Sequence, residues 1–236
     1  MIYKKLYVTI AVIFTIIFLY KNAFPEEILQ AIRSYELPVP TISLISFNPY
    51  KIDQKEKSIW TVRNANQIVK INLDLDKITQ YVPFPGVFCE DICWEDSTSL
   101  WVSDSLKKQL LLISIPGGKT IKSIPSPGNG PAGVAIYGGY LWNSDSEANK
   151  LYQLNKLDGK VIRDFDIPCC AEGMVAADDA LFFIADSKIQ KFDLKNKLII
   201  KTYLLPFSDA MGIAWDGDCF YIDRHHTNTI DLFTLH

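Results

Sequence analysis

The side chains whose types and spacing could do chemistry are a small set. They are the acids Glu90, Asp91, Glu172 and Asp209, the arginines Arg63 and Arg224, His225 next to His226, and the thiols Cys89, Cys169 and Cys170. Acidic oxygens brought together from separate segments suit a hard cation, so Glu90, Glu172 and Asp209 are the candidate ligands for Ca²⁺ or Mg²⁺. The same acids, with Asp91, could instead act as acid and base, or could cap turns by accepting backbone N–H bonds. Arg63 and Arg224 could clamp a carboxylate, phosphate or sulfate, or could form ordinary ion pairs. Neighbouring residues on a strand point to opposite faces, so at most one of His225 and His226 aims inward. Cys89 could bridge to Cys169 or Cys170, the thiols could stay unpaired and buried, or they could form a soft-metal or redox site. Five cysteines leave an odd one. No H-E-x-x-H, C-x-x-C, G-x-S-x-G, phosphate loop or G-x-G-x-x-G occurs, which removes the common zinc, redox, serine-hydrolase and nucleotide signatures.

A repeat positions these residues. Five segments align on their aromatic residues, Trp60, Trp101, Trp142, Phe183 and Tyr221, which stand 41, 41, 41 and 38 residues apart. A small, apolar stretch precedes the last four, with Asp91, Gly133, Gly173 and Gly212 in register. Short strands that end at Pro83, Pro125, Pro168 and Pro206 close the units. Each unit therefore reads as four short strands in about 40 residues, which is the pattern of a propeller blade. The last unit stops after its third strand, and Ala31–Pro40 (AIRSYELPVP) resembles Ile200–Phe207 (IKTYLLPF), an outermost strand. The expected fold is all-β: a single propeller of five four-stranded blades, closed by an N-terminal strand at 31–38. Blades are expected at about 40–83, 84–125, 126–168, 169–206 and 207–236, with residues 26–32 as a linker or helical turn. The loops between fourth and first strands, and between second and third strands, would open on one face. Every candidate above falls in or beside such a loop. Asp104, Asp145 and Asp186 recur at one place in the repeat and are expected to cap turns, whereas blades one and five carry Arg63 and Arg224 there.

The chain has 236 residues, 48% hydrophobic and 22% charged, which allows a substantial core and excludes a disordered or disulfide-scaffold class. Its 24 basic and 27 acidic residues leave no cationic surplus, so no nucleic-acid partner is expected. Lys4 and Lys5 precede the uncharged run Leu6–Tyr20. That pattern predicts an N-terminal hydrophobic helix over residues 1–25, either a cleaved signal peptide or a retained membrane anchor. Both place the remainder outside the cytoplasm, in the periplasm or at the cell surface, secreted or membrane-anchored through residues 6–20.

The best-formed unit, Gly133–Pro168 (GVAIYGGYLWNSDSEANKLYQLNKLDGKVIRDFDIP), resembles the NHL, YncE and streptogramin-lyase group of propeller repeats. The resemblance covers most of the chain after residue 40. It implies a propeller that binds a small molecule or a protein on its loop face. It also implies an alternative, a divalent-metal-dependent lyase or hydrolase; a second alternative, if the anchor is retained, is a structural subunit of a membrane complex. Two departures stand out: most rings in that group have six or seven blades, and this chain lacks the lyases' histidine motif on a first strand. A shared fold does not carry an activity with it.

Overall fold

The structure is a computed structural model that describes residues 27–38, 42–46, 58–64, 66–74, 76–84 and 86–235. The hydrophobic segment 6–20 and the helix expected there lie outside these residues. All regular structure among the described residues is β.

Two strands come first, β1 (Glu27–Ile28) and β2 (Arg33–Glu36). Blade one is β3 (Ile42–Ser46), β4 (Ser58–Arg63), β5 (Gln67–Asn72) and β6 (Lys77–Pro83). Blade two is β7 (Cys89–Asp96), β8 (Ser99–Asp104), β9 (Gln109–Ser114) and β10 (Thr120–Pro125). Blade three is β11 (Pro131–Tyr137), β12 (Tyr140–Asp145), β13 (Lys150–Leu154) and β14 (Val161–Asp166). Blade four is β15 (Met174–Ala177), β16 (Ala180–Ala185), β17 (Lys188–Asp193) and β18 (Leu198–Leu204). Blade five takes β19 (Ala210–Trp215), β20 (Phe220–Arg224) and β21 (Thr229–Phe233), with β2 as its outer strand, antiparallel to β21. The expectation of a five-bladed ring closed by an N-terminal strand is met.

The second strand of each blade is largely buried because it is covered on both sides by neighbouring blades; β8 and β16 are buried at every position, β8 including its Ser103 and Asp104. Outer strands are mostly exposed or half-buried, and each keeps one buried residue near its end, Val82, Ile124, Phe165, Tyr203 and Tyr35 in turn. Tight hairpins use residues that tolerate a left-handed backbone: Gly138–Gly139 joins β11 to β12, and Asp186–Ser187 joins β16 to β17, all four with positive φ. The core lies between blades, not within them. Trp60, Val62 and Ile68 of blade one pack with Ile92 and Trp94 of blade two. Corresponding clusters join blades two and three, three and four, and four and five. A fifth, with Ala214, Tyr221 and Ile230 against Ile45, Ile59 and Val69, joins blade five to blade one. Five interblade cores for five blades make the ring continuous.

One element was not expected. Residues 27–28 are neither linker nor helical turn: β1 pairs in parallel with the outer strand β18, with Glu27 opposite Tyr203 and Ile28 opposite Leu204. The Leu29 N–H continues the ladder to the Leu204 carbonyl at 2.8 Å, and the Ile32 N–H then reaches Leu232 at 2.8 Å. The N-terminal segment therefore crosses from blade four, as its fifth strand, to blade five, as its fourth. Two residues without a periodic pattern give no sequence signal for such a strand.

Candidate functional site on the loop face

The two sets of loops meet on one face, tied by backbone hydrogen bonds within blades two to five. Ser105 donates to the Phe88 carbonyl (3.0 Å), Ser146 to Gly130 (2.8 Å), Glu172 to Ile184 (2.9 Å) and His225 to Asp209 (2.9 Å). The recurring aspartates reinforce these ties. Asp104 accepts N–H bonds from Phe88 (3.1 Å) and Lys107 (3.3 Å), and Asp145 from Gly130 (3.0 Å), Glu147 (3.0 Å) and Ala148 (2.7 Å). Both cap turns, as expected. Asp186 departs from the pattern, because the two-residue turn of blade four leaves no third N–H to cap, and its side chain stays exposed.

Blade five keeps the same tie with its polarity exchanged. Arg224 stands where blades two, three and four place Asp, and its Nε donates to Asp209 Oδ1 at 2.9 Å. It also reaches Asp231 Oδ2 at 3.7 Å and lies over the Phe207 ring, 4.3 Å from its centre. Ser34 of the closing strand donates to the other oxygen of Asp231. Arg224 is thus held by ordinary ion pairs, and Asp209, its side chain 8% exposed, is occupied with it. Asp209 therefore does not converge with Glu90 and Glu172. Among the described residues no three His, Cys, Asp or Glu side chains stand close enough to hold a metal ion. His225 and His226 are exposed, with ring centres 5.1 Å apart. Arg63 ends β4 half-buried.

Asp91 is the largest departure from its expected place. It is not at the channel mouth but 1% exposed within the ring. The register explains this. Gly133 and Gly173 occupy its level on the next two inner strands, and neighbouring blades come so close there that a Cβ on Gly173 would lie 2.5 Å from the Met211 carbonyl oxygen. Asp91 extends into the space those glycines leave. Its Oδ2 accepts the Val134 N–H (2.8 Å) of blade three and the Met174 N–H (3.1 Å) of blade four, so one carboxylate joins three inner strands. Its Oδ1 has no partner among the described residues. Burial drives the Asp91 carboxyl well above the usual range, against the opposing effect of these N–H donors.

Above Asp91, Glu90 and Glu172 flank the mouth from blades two and four. Ser105 Oγ donates to Glu90 Oε1 at 2.6 Å. Burial raises the Glu90 carboxyl, partly offset by that hydrogen bond. Burial raises Glu172 as well, with the charges of Asp186 and Glu90 adding to it. Cys170 stands beside them, its thiol pushed up to about 11 by burial and then by Glu172 and Cys169, with a hydrogen bond from Ser146 opposing. The structure therefore brings together Glu90, Glu172 and Cys170 with Ser105, Ser146 and Asp186, and sets Asp209, Arg224 and His225 apart.

No disulfide joins any of the five cysteines, and the Cys89 bridge to Cys169 or Cys170 is not formed. Cys89 is buried in the core between blades one and two, whereas Cys169 packs against the core between blades three and four. The sequence reading missed Ser105 and Ser146, although a signal exists in the repeated Ser-Asp-Ser of 103–105 and 144–146. The first serine of each triplet stitches blades together: Ser103 Oγ donates to the Ala132 carbonyl and Ser144 Oγ to Ala171 at 2.6 Å. Ser144 also accepts the Gly133 N–H at 2.7 Å. Replacing Ser144 with Ala leaves that buried donor and the Ala171 carbonyl unpaired. It should cost about 2 kcal/mol, read as a shift of the urea midpoint with an unchanged slope.

No family model and no curated protein matches the sequence. Solved structures do resemble the fold. A glutaminyl cyclase from Myxococcus xanthus superposes with a TM-score of 0.71 at 12% identity, over 89% of this chain and 99% of that one. The virginiamycin B lyase from Staphylococcus aureus gives 0.52 at 22% identity, over 76% of this chain. A streptogramin B lyase gives 0.51 at 19%, over 77%. This chain spans 63% and 62% of the two lyase chains, less than two thirds of their length. At these identities the likeness is one of fold, and the chain is a five-bladed β-propeller.

Proposed function

We propose that the loop-face mouth binds a ligand bearing a protonated amine, such as a peptide amino terminus, between Glu90 and Glu172. The observation that carries the reading is the pairing of these half-buried carboxyls, both raised by burial, with Glu172 further raised by Asp186 and Glu90. An ammonium group offsets repulsion among the acids, and its three donors suit carboxylates presented from separate blades. Ser105 holds Glu90 in place for it. This specifies the ligand-binding module expected from the repeat.

Binding needs ionised carboxyls and a protonated amine. Since both carboxyls lie above their ordinary values, affinity should rise as pH goes from about 4 towards 7 and fall again as the amine loses its proton. Glu172→Gln should weaken binding of a short, free peptide about tenfold or more at pH 7 while the melting temperature holds. Calorimetric titration measures this, and unchanged affinity in Glu172→Gln and Glu90→Gln would refute the reading.

A second reading is an enzyme acting on the bound amine, favoured by two carboxyls raised towards the range useful for proton transfer. The fold likeness to a glutaminyl cyclase suggests the assay: ring closure of an amino-terminal glutamine with release of ammonia. Ammonia release lost in Glu90→Gln would support it, and its absence from the wild-type protein would leave the binding module alone.

A further inference from the structure

The inner strands line a second space, half open to its surroundings, towards their far ends and away from the loop face. It is a cavity of about 160 Å³ to which every blade contributes, with Ile45, Trp94, Ile136, Val175 and Trp215 in its wall and the Cys93 thiol among them. None of the residues lining it is charged. Its aromatic walls are braced from behind. The Trp94 ring meets Trp60 edge-on at 5.3 Å, and Trp215 lies 4.5 Å from Phe220. A braced wall loses little freedom when a ligand enters. A cavity of roughly 150 Å³ with aliphatic and aromatic walls accommodates one benzene-sized ring. The Asp91 carboxylate is on the same inner strand, directly before Ile92 and Cys93, and bonds the N–H of Met174, which also lines the cavity. An anion entering this space would lose its hydration and meet no cationic residue among those lining it.

We propose that this cavity is a second binding site, taking an uncharged ligand that carries a single aromatic ring. It is independent of the amine site and uses none of its residues. ¹⁹F NMR of fluorobenzene with the full chain tests it. Fluorobenzene should bind saturably, 4-fluorobenzoate should not, and Glu172→Gln should leave fluorobenzene binding unchanged. Ala176→Leu, which puts a larger side chain on the cavity wall, should weaken binding about tenfold or more. No binding of fluorobenzene at its solubility limit, or equal binding to Ala176→Leu with wild-type melting, overturns the proposal. If Ala176→Leu folds poorly, the wild-type protein decides the matter through Cys93. Fluorobenzene should slow its alkylation by N-ethylmaleimide, read by peptide mass spectrometry, and an unchanged rate overturns the site.

Discussion

Asp91→Ala should lower stability by about 2–4 kcal/mol, because the Val134 and Met174 N–H groups lose their acceptor in a place water does not reach. For a domain of this size that is roughly 5–15 °C in melting temperature. Asp91→Asn should behave differently, since its amide oxygen can still accept both bonds. The pH dependence separates the roles of shape and charge. The Asp91 carboxyl is raised well above its unfolded value near 3.9, so between that value and its folded one the native state holds more protons than the unfolded state. Stability contributed by Asp91 is therefore fully present below about pH 4 and is lost as pH rises towards the folded value. Asn has no such slope. Urea unfolding of both proteins from pH 4 to 8 should show the wild type losing ground to Asp91→Asn as pH rises. Parallel profiles would mean that Asp91 is not the buried acid described.

Deleting residues 27–38 should abolish cooperative folding. It strips β2 from blade five and β1 from blade four, and it removes Leu29 and the pair Tyr35 and Leu37 from the cores on either side of blade five. Three large buried side chains contribute about 5–9 kcal/mol, comparable with the whole stability of an ordinary domain. The exposed edge of β21 would then invite aggregation. A thermal melt monitored by tryptophan fluorescence checks this, and a cooperative transition close to that of the full chain would contradict the closure.

Much of the fold is legible in the sequence because each blade repeats the same physical demand. The aromatic of the second strand must fill the gap between blades, so Trp60, Trp101, Trp142, Phe183 and Tyr221 recur at nearly constant spacing. Closure is legible because the closing strand resembles the outer strand it replaces. The site is less so. Register sets Asp91 level with three glycines, yet only the approach of adjacent backbones shows that its carboxylate is enclosed. Asp209 and Arg224 look like separate candidates until the cross-loop tie of blades two and three is seen with its charges exchanged. The mouth depends on Glu90 and Glu172 being carried by non-adjacent blades, a proximity that ring curvature creates and chain distance conceals.

The most direct measurement is a titration of the full chain at pH 7 with one short peptide in two forms, amino terminus free and amino terminus acetylated. Acetylation removes the positive charge and leaves every other group unchanged. The free peptide should bind in wild type and lose affinity in Glu172→Gln, and the acetylated peptide should not bind at all. Equal binding of both forms, or binding of neither, would contradict an amine site between Glu90 and Glu172.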